Sequence, residues 1–345
     1  MEDLINGIAD LCSQRDRDAL DSSMVLLLHK TCQERVHTVR LVRFLANADE
    51  VRCLNLAQYD AKLSALSRQR SGKDWDDLPL LESFPDRLHL RTSGKPIFRQ
   101  GDPCMTVLPL GDRHPLASCI ELESAEPLPA SMVRIVQGIA LIYQNYEGLL
   151  DYGEKDALTD LLNRKTFDGA FLKAAVELAE PAEKEATDRR AFHAAEGYWL
   201  AVLDIDHFKR VNDNFGHLIG DEVLLLMARL MRTGFRFHDQ LYRFGGEEFV
   251  ILMRCAHAED AAGALERFRA MVQAYEFPQV GTITVSIGFA ALRGQDTPGG
   301  AFDRADKAVY YAKGHGRNQV RSYEDLVMCG ELIEEVEESK DVDFF

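Results

Sequence analysis

The hydrophobic pattern divides the chain into three stretches. Residues 1 to about 128 open with helical spacing and then give the strand candidates "HTVRLVRFLA" and "VRCLNLAQ". A loop-rich middle containing "SGKDWDD" follows, and after it the shorter candidates "PIFRQ", "CMTVLPLG" and "LASCIELES". This order predicts an α+β unit built on an antiparallel sheet. From 129 to 156 the spacing is helical, after two prolines and with Ser131 as N-cap. Met132, Val136, Ile139, Tyr143, Tyr146 and Leu150 recur there at intervals of 4, 3, 4, 3 and 4. Such a seam fits the same helix of a second chain or the sheet of its own unit, and about two and a half heptads do not decide between them.

Residues 157 to about 323 alternate helix and strand. The pattern predicts a helix over about 163–180, the strand "YWLAVLDID", a helix over about 218–234 and a hairpin around Gly245 and Gly246. A helix near 258–275, the strand "GTITVSIGFAA" and a helix over about 302–314 complete it. Alternation of this kind predicts a central sheet covered by helices. The insertion "EPAEKEATDRRAFHAAEG" reads as surface loop or extended helix. The expected fold class is thus mixed α/β (α+β), with domains at 1–128 and 157–323, a linking helix at 129–156 and a tail at 324–345.

Charge narrows the partners. The 345 residues carry 40 basic and 56 acidic side chains, a net −16, which argues against general nucleic-acid binding and against an anionic membrane surface. Any phosphate ligand must be held locally. The tail alone, "EDLVMCGELIEEVEESKDVDFF", is strongly acidic and reads as a solvated appendix. No stretch has the length and apolarity of a membrane span or a secretory leader, so a cytoplasmic location is expected. The 7 cysteines include no C-x-x-C pair, which argues against a disulfide framework or zinc ribbon. Cys104, His114 and Cys119 match no metal spacing and are assigned to core or loop.

Two places carry chemistry. In "RFGGEEFVIL" (243–252) Gly245 and Gly246 suit a tight hairpin connection, and Glu247 and Glu248 beside it are expected to face opposite sides of the strand. In "YWLAVLDIDHFKRVND" an apolar strand ends in Asp204 and Asp206. Carboxylates at the end of a buried strand invite a hard cation, and Mg²⁺ is commonly held by one or two of them with substrate phosphates completing its shell. Neither "SGKDW" nor "SGKPI" has the glycine and Ser/Thr of a P-loop.

The segments "DALTDLLNR" (156–164), "DIDHFKRVNDNFGHLIGDEVL" (204–224), "RFGGEEF" (243–249), "TVSIGFA" (284–290) and "ADKAVYYAKGHGRN" (305–318) follow one another in the order of the GGDEF diguanylate cyclases, which the chain resembles over roughly 156–322. The resemblance implies condensation of two GTP into cyclic di-GMP with release of two pyrophosphates, each GTP contributed by one of two domains in a homodimer. It implies Mg²⁺ (or Mn²⁺) on Asp204, the Ile205 carbonyl and Glu247, with Glu248 assisting. It places the amides of His207 and Phe208 with Lys209 at the β- and γ-phosphates, Lys313 and Arg317 opposite them, and Asn212 and Asp221 on the guanine edge. Taken in isolation Asn212 reads as a turn residue, Asp221 as a helix cap, and Lys313 with Arg317 as a basic helix end.

The resemblance also makes Arg236-Phe237-His238-Asp239 an R-x-x-D site at which product binds and inhibits, joined by Arg267. The first domain resembles a GAF sensor, with PAS the nearest alternative and no ligand specified. A catalytically silent cyclic di-GMP receptor using the R-x-x-D site is the competing function.

Overall fold

The structure is a computed structural model; it describes residues 2–32, 35–46, 50–67, 75–111, 115–179 and 197–333. His114, most of the insertion at 180–197, part of "SGKDWDD" and the tail from 334 onward lie outside the described residues. The chain divides into two compact units, Met1–Gly153 and Glu154–Phe345.

In unit 1 two helices, α1 (Glu2–Ser13) and α2 (Arg17–Cys32), precede the long strands β1 (Val36–Ala46) and β2 (Val51–Asp60) and the short β3 (Ala65–Ser67). Helix α3 (Pro85–Ser93), strands β4 (Ile97–Arg99), β5 (Cys104–Leu110) and β6 (Ser118–Ser124), and helix α4 (Ala130–Glu154) follow. The six strands form one antiparallel sheet in the order β3-β2-β1-β6-β5-β4. Alternation gives the sheet two apolar faces. Val39, Leu41, Ile120 and Leu122 pack against α2 and α4, while Val42, Phe44, Cys53, Val107 and Cys119 pack against Leu90 of α3. The pairing steps from Leu41–Ala57 to Val42–Asn55, so β2 carries one extra residue, Leu56, and Ala57 and Cys53, an even number of positions apart, serve opposite cores.

Two expectations for α4 change here. The helix begins at Ala130, so Ser131 lies inside its first turn rather than capping it. The heptad seam is occupied by the protein's own sheet: Val136, Ile139 and Tyr143 are buried in that core, and Met132, Tyr146 and Leu150 pack at its edge. A period of 3.5 marks an apolar face and does not say what covers it.

Unit 2 contains β7 (Leu162–Asn163), α5 (Arg164–Ala179), β8 (Gly197–Ile205), α6 (Phe208–Phe215), α7 (His217–Gly234), β9 (Gln240–Gly245), β10 (Glu248–Cys255) and α8 (Ala258–Ala274). A two-residue pair, β11 (Glu276–Phe277) with β12 (Gly281–Thr282), leads to β13 (Val285–Ala291), α9 (Pro298–Gly314), β14 (Val320–Ser322) and α10 (Tyr323–Met328). The central sheet runs β14-β13-β8-β10-β9-β7, antiparallel in its middle and parallel at both edges. Strand β8 is central and covered on both faces, which explains its unbroken apolar run. Ala201, Leu203 and Ile205 face α6, α7 and α8; Leu200 and Val202 face α5, α9 and α10.

The remaining differences from the pattern are local. Helix α9 starts at Pro298 because Thr297 caps it through a bond from the Gly300 amide, a start that precedes the apolar period. Residues assigned by charge to the tail begin as α10, capped by Ser322, with Leu326 buried against the sheet.

Candidate active site

Strand β8 delivers Asp204 onto the face covered by α9, and pairing sets it directly opposite Glu248 of β10 on one side and Ser286 of β13 on the other. Cross-strand partners have Cβ atoms about 5 Å apart, so two carboxylates meet at the sheet's end. Asp204 is 6% exposed, and its Oδ1 has no hydrogen-bond partner. Its Oδ2 lies 2.7 Å from Lys313 Nζ on α9. Burial raises the Asp204 carboxyl above its usual range; Lys313 opposes that shift, and Asp206 and Asp306 add to it.

The hairpin differs in one respect from its sequence reading. Gly245 pairs with Glu248, so the two turn residues are Gly246 and Glu247, and both glycines adopt positive φ, 145° and 52°. Glu247 therefore sits in the turn instead of alternating with Glu248 along a strand. Arg243 fixes this turn: its Nη2 donates to the Gly246 carbonyl at 2.9 Å and its Nη1 to Asp156 Oδ1 at 2.9 Å. Asp156 also accepts from the amide and hydroxyl of Thr159. Burial alone would raise Asp156, but these bonds outweigh it and hold the carboxyl below the ordinary range. Glu247 and Glu248 are raised, by burial first and then by the nearby Asp204 charge, with Asp306 adding to Glu248.

Asp206 has another task. Buried at 6% exposure, it accepts from Ser286 Oγ and Thr284 Oγ1, each at 2.7 Å, and from the Asn318 amide at 3.0 Å. It thereby ties the end of β8 to the turn after α9. Arg317, in that turn, has φ 63° and Asn318 φ 45°, and the Arg317 side chain is exposed.

After β8 the chain turns at His207, whose φ of 60° ends the strand and starts α6 without a side-chain cap. The first amides of α6 thus belong to a helix start of the kind that receives phosphate, with exposed Lys209 in its first turn. Asn212 lies against Gly220, where an added Cβ would stand 2.0 Å from its Oδ1. Asp221 is exposed on the next residue, so the two candidate guanine contacts come from packed neighbouring helices.

In the R-x-x-D segment Asp239 folds back and accepts the Arg236 amide at 2.9 Å, and the Asp239 amide donates to the Arg236 carbonyl at 3.1 Å. Burial raises the Asp239 carboxyl against the pull of that bond. The Arg236 side chain is left exposed. The Phe235 and Phe268 rings pack tilted at 43° with centroids 4.9 Å apart, so Arg236 and the exposed Arg267 are sequence neighbours of two packed rings.

These donors suit a hard cation: oxygen ligands only, one of them a buried carboxylate oxygen with no partner. Among the described residues no three His, Cys, Asp or Glu side chains cluster as a complete metal cage. Sequence reasoning missed the parts played by Asp306, Arg243 and Asp156, because each acts across the fold; it named Asp206 as a strand-end carboxylate for a cation, whereas both its oxygens are taken by Ser286, Thr284 and the Asn318 amide.

The family profile described as "Diguanylate cyclase, GGDEF domain" matches residues 154–319. Unit 2 carries a GGDEF domain. Diguanylate cyclase DgcP of Pseudomonas aeruginosa is 43% identical over 169 residues, 48% of this chain and 23% of that protein. Response regulator PleD of Caulobacter vibrioides is 30% identical over 261 residues, 72% of this chain and 54% of that protein. The GGDEF domain of DgcB from Caulobacter crescentus, solved in complex with c-di-GMP, is 34% identical, covering 50% of this chain and 96% of that one with a TM-score of 0.43. The chain spans between 23% and 54% of the length of these two curated relatives. Among the described residues no helix is long and apolar enough to cross a membrane.

Proposed function

We propose that the protein is a diguanylate cyclase that joins two GTP molecules into cyclic di-GMP. Each of two GGDEF domains in a homodimer presents one GTP, and each 3′-hydroxyl attacks the partner's α-phosphate with loss of pyrophosphate. The observation that carries this reading is the buried, half-satisfied carboxylate of Asp204 set by register opposite Glu248, next to the turn that holds Glu247.

Asp204, the Ile205 carbonyl and Glu247 would hold Mg²⁺ or Mn²⁺, which when bound neutralises charge on the triphosphate and acidifies the attacking hydroxyl. Lys209 and the amides of His207 and Phe208 receive the β- and γ-phosphates at the start of α6. Lys313 and Arg317 close on the same phosphates from α9 and its following turn. Asn212 and Asp221 pair with the guanine edge, an amide and a carboxylate matching its O6 acceptor and N1 and N2 donors. Glu248 stands by the attacking hydroxyl.

Arg236, Asp239 and Arg267 form the inhibitory product site, with the Asp239 cap holding the Arg236 backbone so that its guanidinium faces outward. Unit 1 acts as a GAF-like sensor whose outgoing helix sets how two GGDEF domains approach. Incubation with GTP and Mg²⁺ tests the reading, and binding of cyclic di-GMP without synthesis would favour the receptor.

A further inference from the structure

The face of the unit 1 sheet beneath α3 holds an unusual charge distribution. Arg87 is 5% exposed and meets Glu121, 4% exposed, through two bonds: Nε to Oε1 at 2.6 Å and Nη2 to Oε2 at 2.7 Å. Arg40 is committed to Glu123, Nη1 to Oε1 at 2.5 Å, and stands 3.9 Å from Glu121. Both carboxylates are therefore taken. A third guanidinium, Arg91, lies one helical turn beyond Arg87 on α3, over the Phe44 ring at 5.7 Å. Its Nη1 is buried and has no hydrogen-bond acceptor among the described residues.

Among the described residues of this cluster three cations meet two anions, and the charge left over falls on the group with the bare N–H. An unpaired buried donor is costly, and a desolvated charge more so, which is why such groups in native proteins call for a bound partner. Desolvation accordingly pulls the Arg91 guanidinium below its ordinary range, the reverse of what an anionic neighbour would do. The surroundings are apolar: Phe44, Leu90, Met105, Val107 and Leu116 are buried there, with Phe84 under Arg87 at 4.0 Å. Arg91 itself is only half-buried, so this end of the cluster reaches the surface. Cys53 and Cys119 in the same cluster are raised by burial, which keeps them neutral thiols and argues against a redox device.

We propose that unit 1 binds a small organic anion, a carboxylate or phosphate monoester with an apolar body, whose charged end pairs with Arg91 beneath α3. The proposal rests on the reading of unit 1 as a sensor and names the chemistry of its ligand. Calorimetric titration of the full chain with hexanoate, hexyl phosphate and 1-hexanol, without GTP, tests it. At least one of the two anions binds about tenfold or more tightly than hexanol, and which one does so separates carboxylate from phosphate. In Arg91→Met that preference disappears; in Arg99→Met, which alters an exposed arginine paired with Asp86, it persists. Anion binding no tighter than hexanol on the native chain, or an undiminished preference in Arg91→Met, overturns the proposal. Because no nucleotide is present, a failed titration leaves the cyclase reading standing, and failed synthesis leaves this one standing.

Discussion

Asp204 shows how much one position must satisfy. It is buried, meets Lys313 through one oxygen, leaves the other without a partner and faces Glu248 across the sheet. Burial first, and then neighbouring carboxylates (Asp206 and Asp306 on Asp204, Asp204 on the two glutamates), raise Asp204, Glu247 and Glu248, so the stability they contribute is present below the ordinary carboxylate pKa and is lost as pH rises through the raised values. A cation reverses that loss. Mg²⁺ should therefore raise the melting temperature of the protein at pH 7.5 and have little effect at pH 4, and the increment should vanish in Asp204→Asn. Glu247→Gln should abolish synthesis with the circular dichroism spectrum unchanged. Arg243→Gln should keep the fold and lower kcat on the order of a hundredfold, since it frees the turn carrying Glu247. The two glutamates and Asp204 are legible in the sequence because motif order names them. Arg243 is not: an arginine before two glycines reads as an ordinary strand residue, and its partner Asp156 is 87 positions away.

At the level of elements, α4 carries the clearest lesson. Its apolar period was visible, but that Tyr143 would meet Asp21 of α2 was not, because the pair lies 122 positions apart and an aspartate in a helix reads as surface. Tyr143 donates to Asp21 at 2.5 Å; burial raises the Asp21 carboxyl to about 6 against the pull of that bond. Stability from this group is fully present below about 3.8 and is lost as pH rises through about 6. Asp21→Asn should therefore stabilise the protein at pH 7.5 by about 2 kcal/mol and not at pH 3.5, as urea melts at the two pH values would show. Packing of α9 on β13 is likewise beyond sequence reading. A Cβ at Gly288 would stand 2.2 Å from the Ala305 carbonyl oxygen and 2.4 Å from the Val309 amide, both backbone, so Gly288→Ala should cost about 3 kcal/mol.

For the molecule as a whole, two units joined through α4 separate the chemistry of the GGDEF domain from the sheet that is proposed to sense. The net charge of −16 makes local cations decisive for a triphosphate, the part proposed for Lys209, Lys313 and Arg317. Architecture in unit 2 was legible because its alternation of strand and helix admits few sheets. The ligand chemistry proposed for unit 1 was not, since the proposal turns on which arginine is left over after two ion pairs form. Arg236→Ala should relieve inhibition by added cyclic di-GMP, seen as a rightward shift of the inhibition curve with initial rates unchanged. The most direct test of the central claim is nucleotide turnover by the purified chain, freed of bound product and supplied with GTP and Mg²⁺. Cyclic di-GMP and pyrophosphate should appear in a 1:2 ratio and should not appear with Glu247→Gln; no cyclic di-GMP from the native, folded protein would contradict the account.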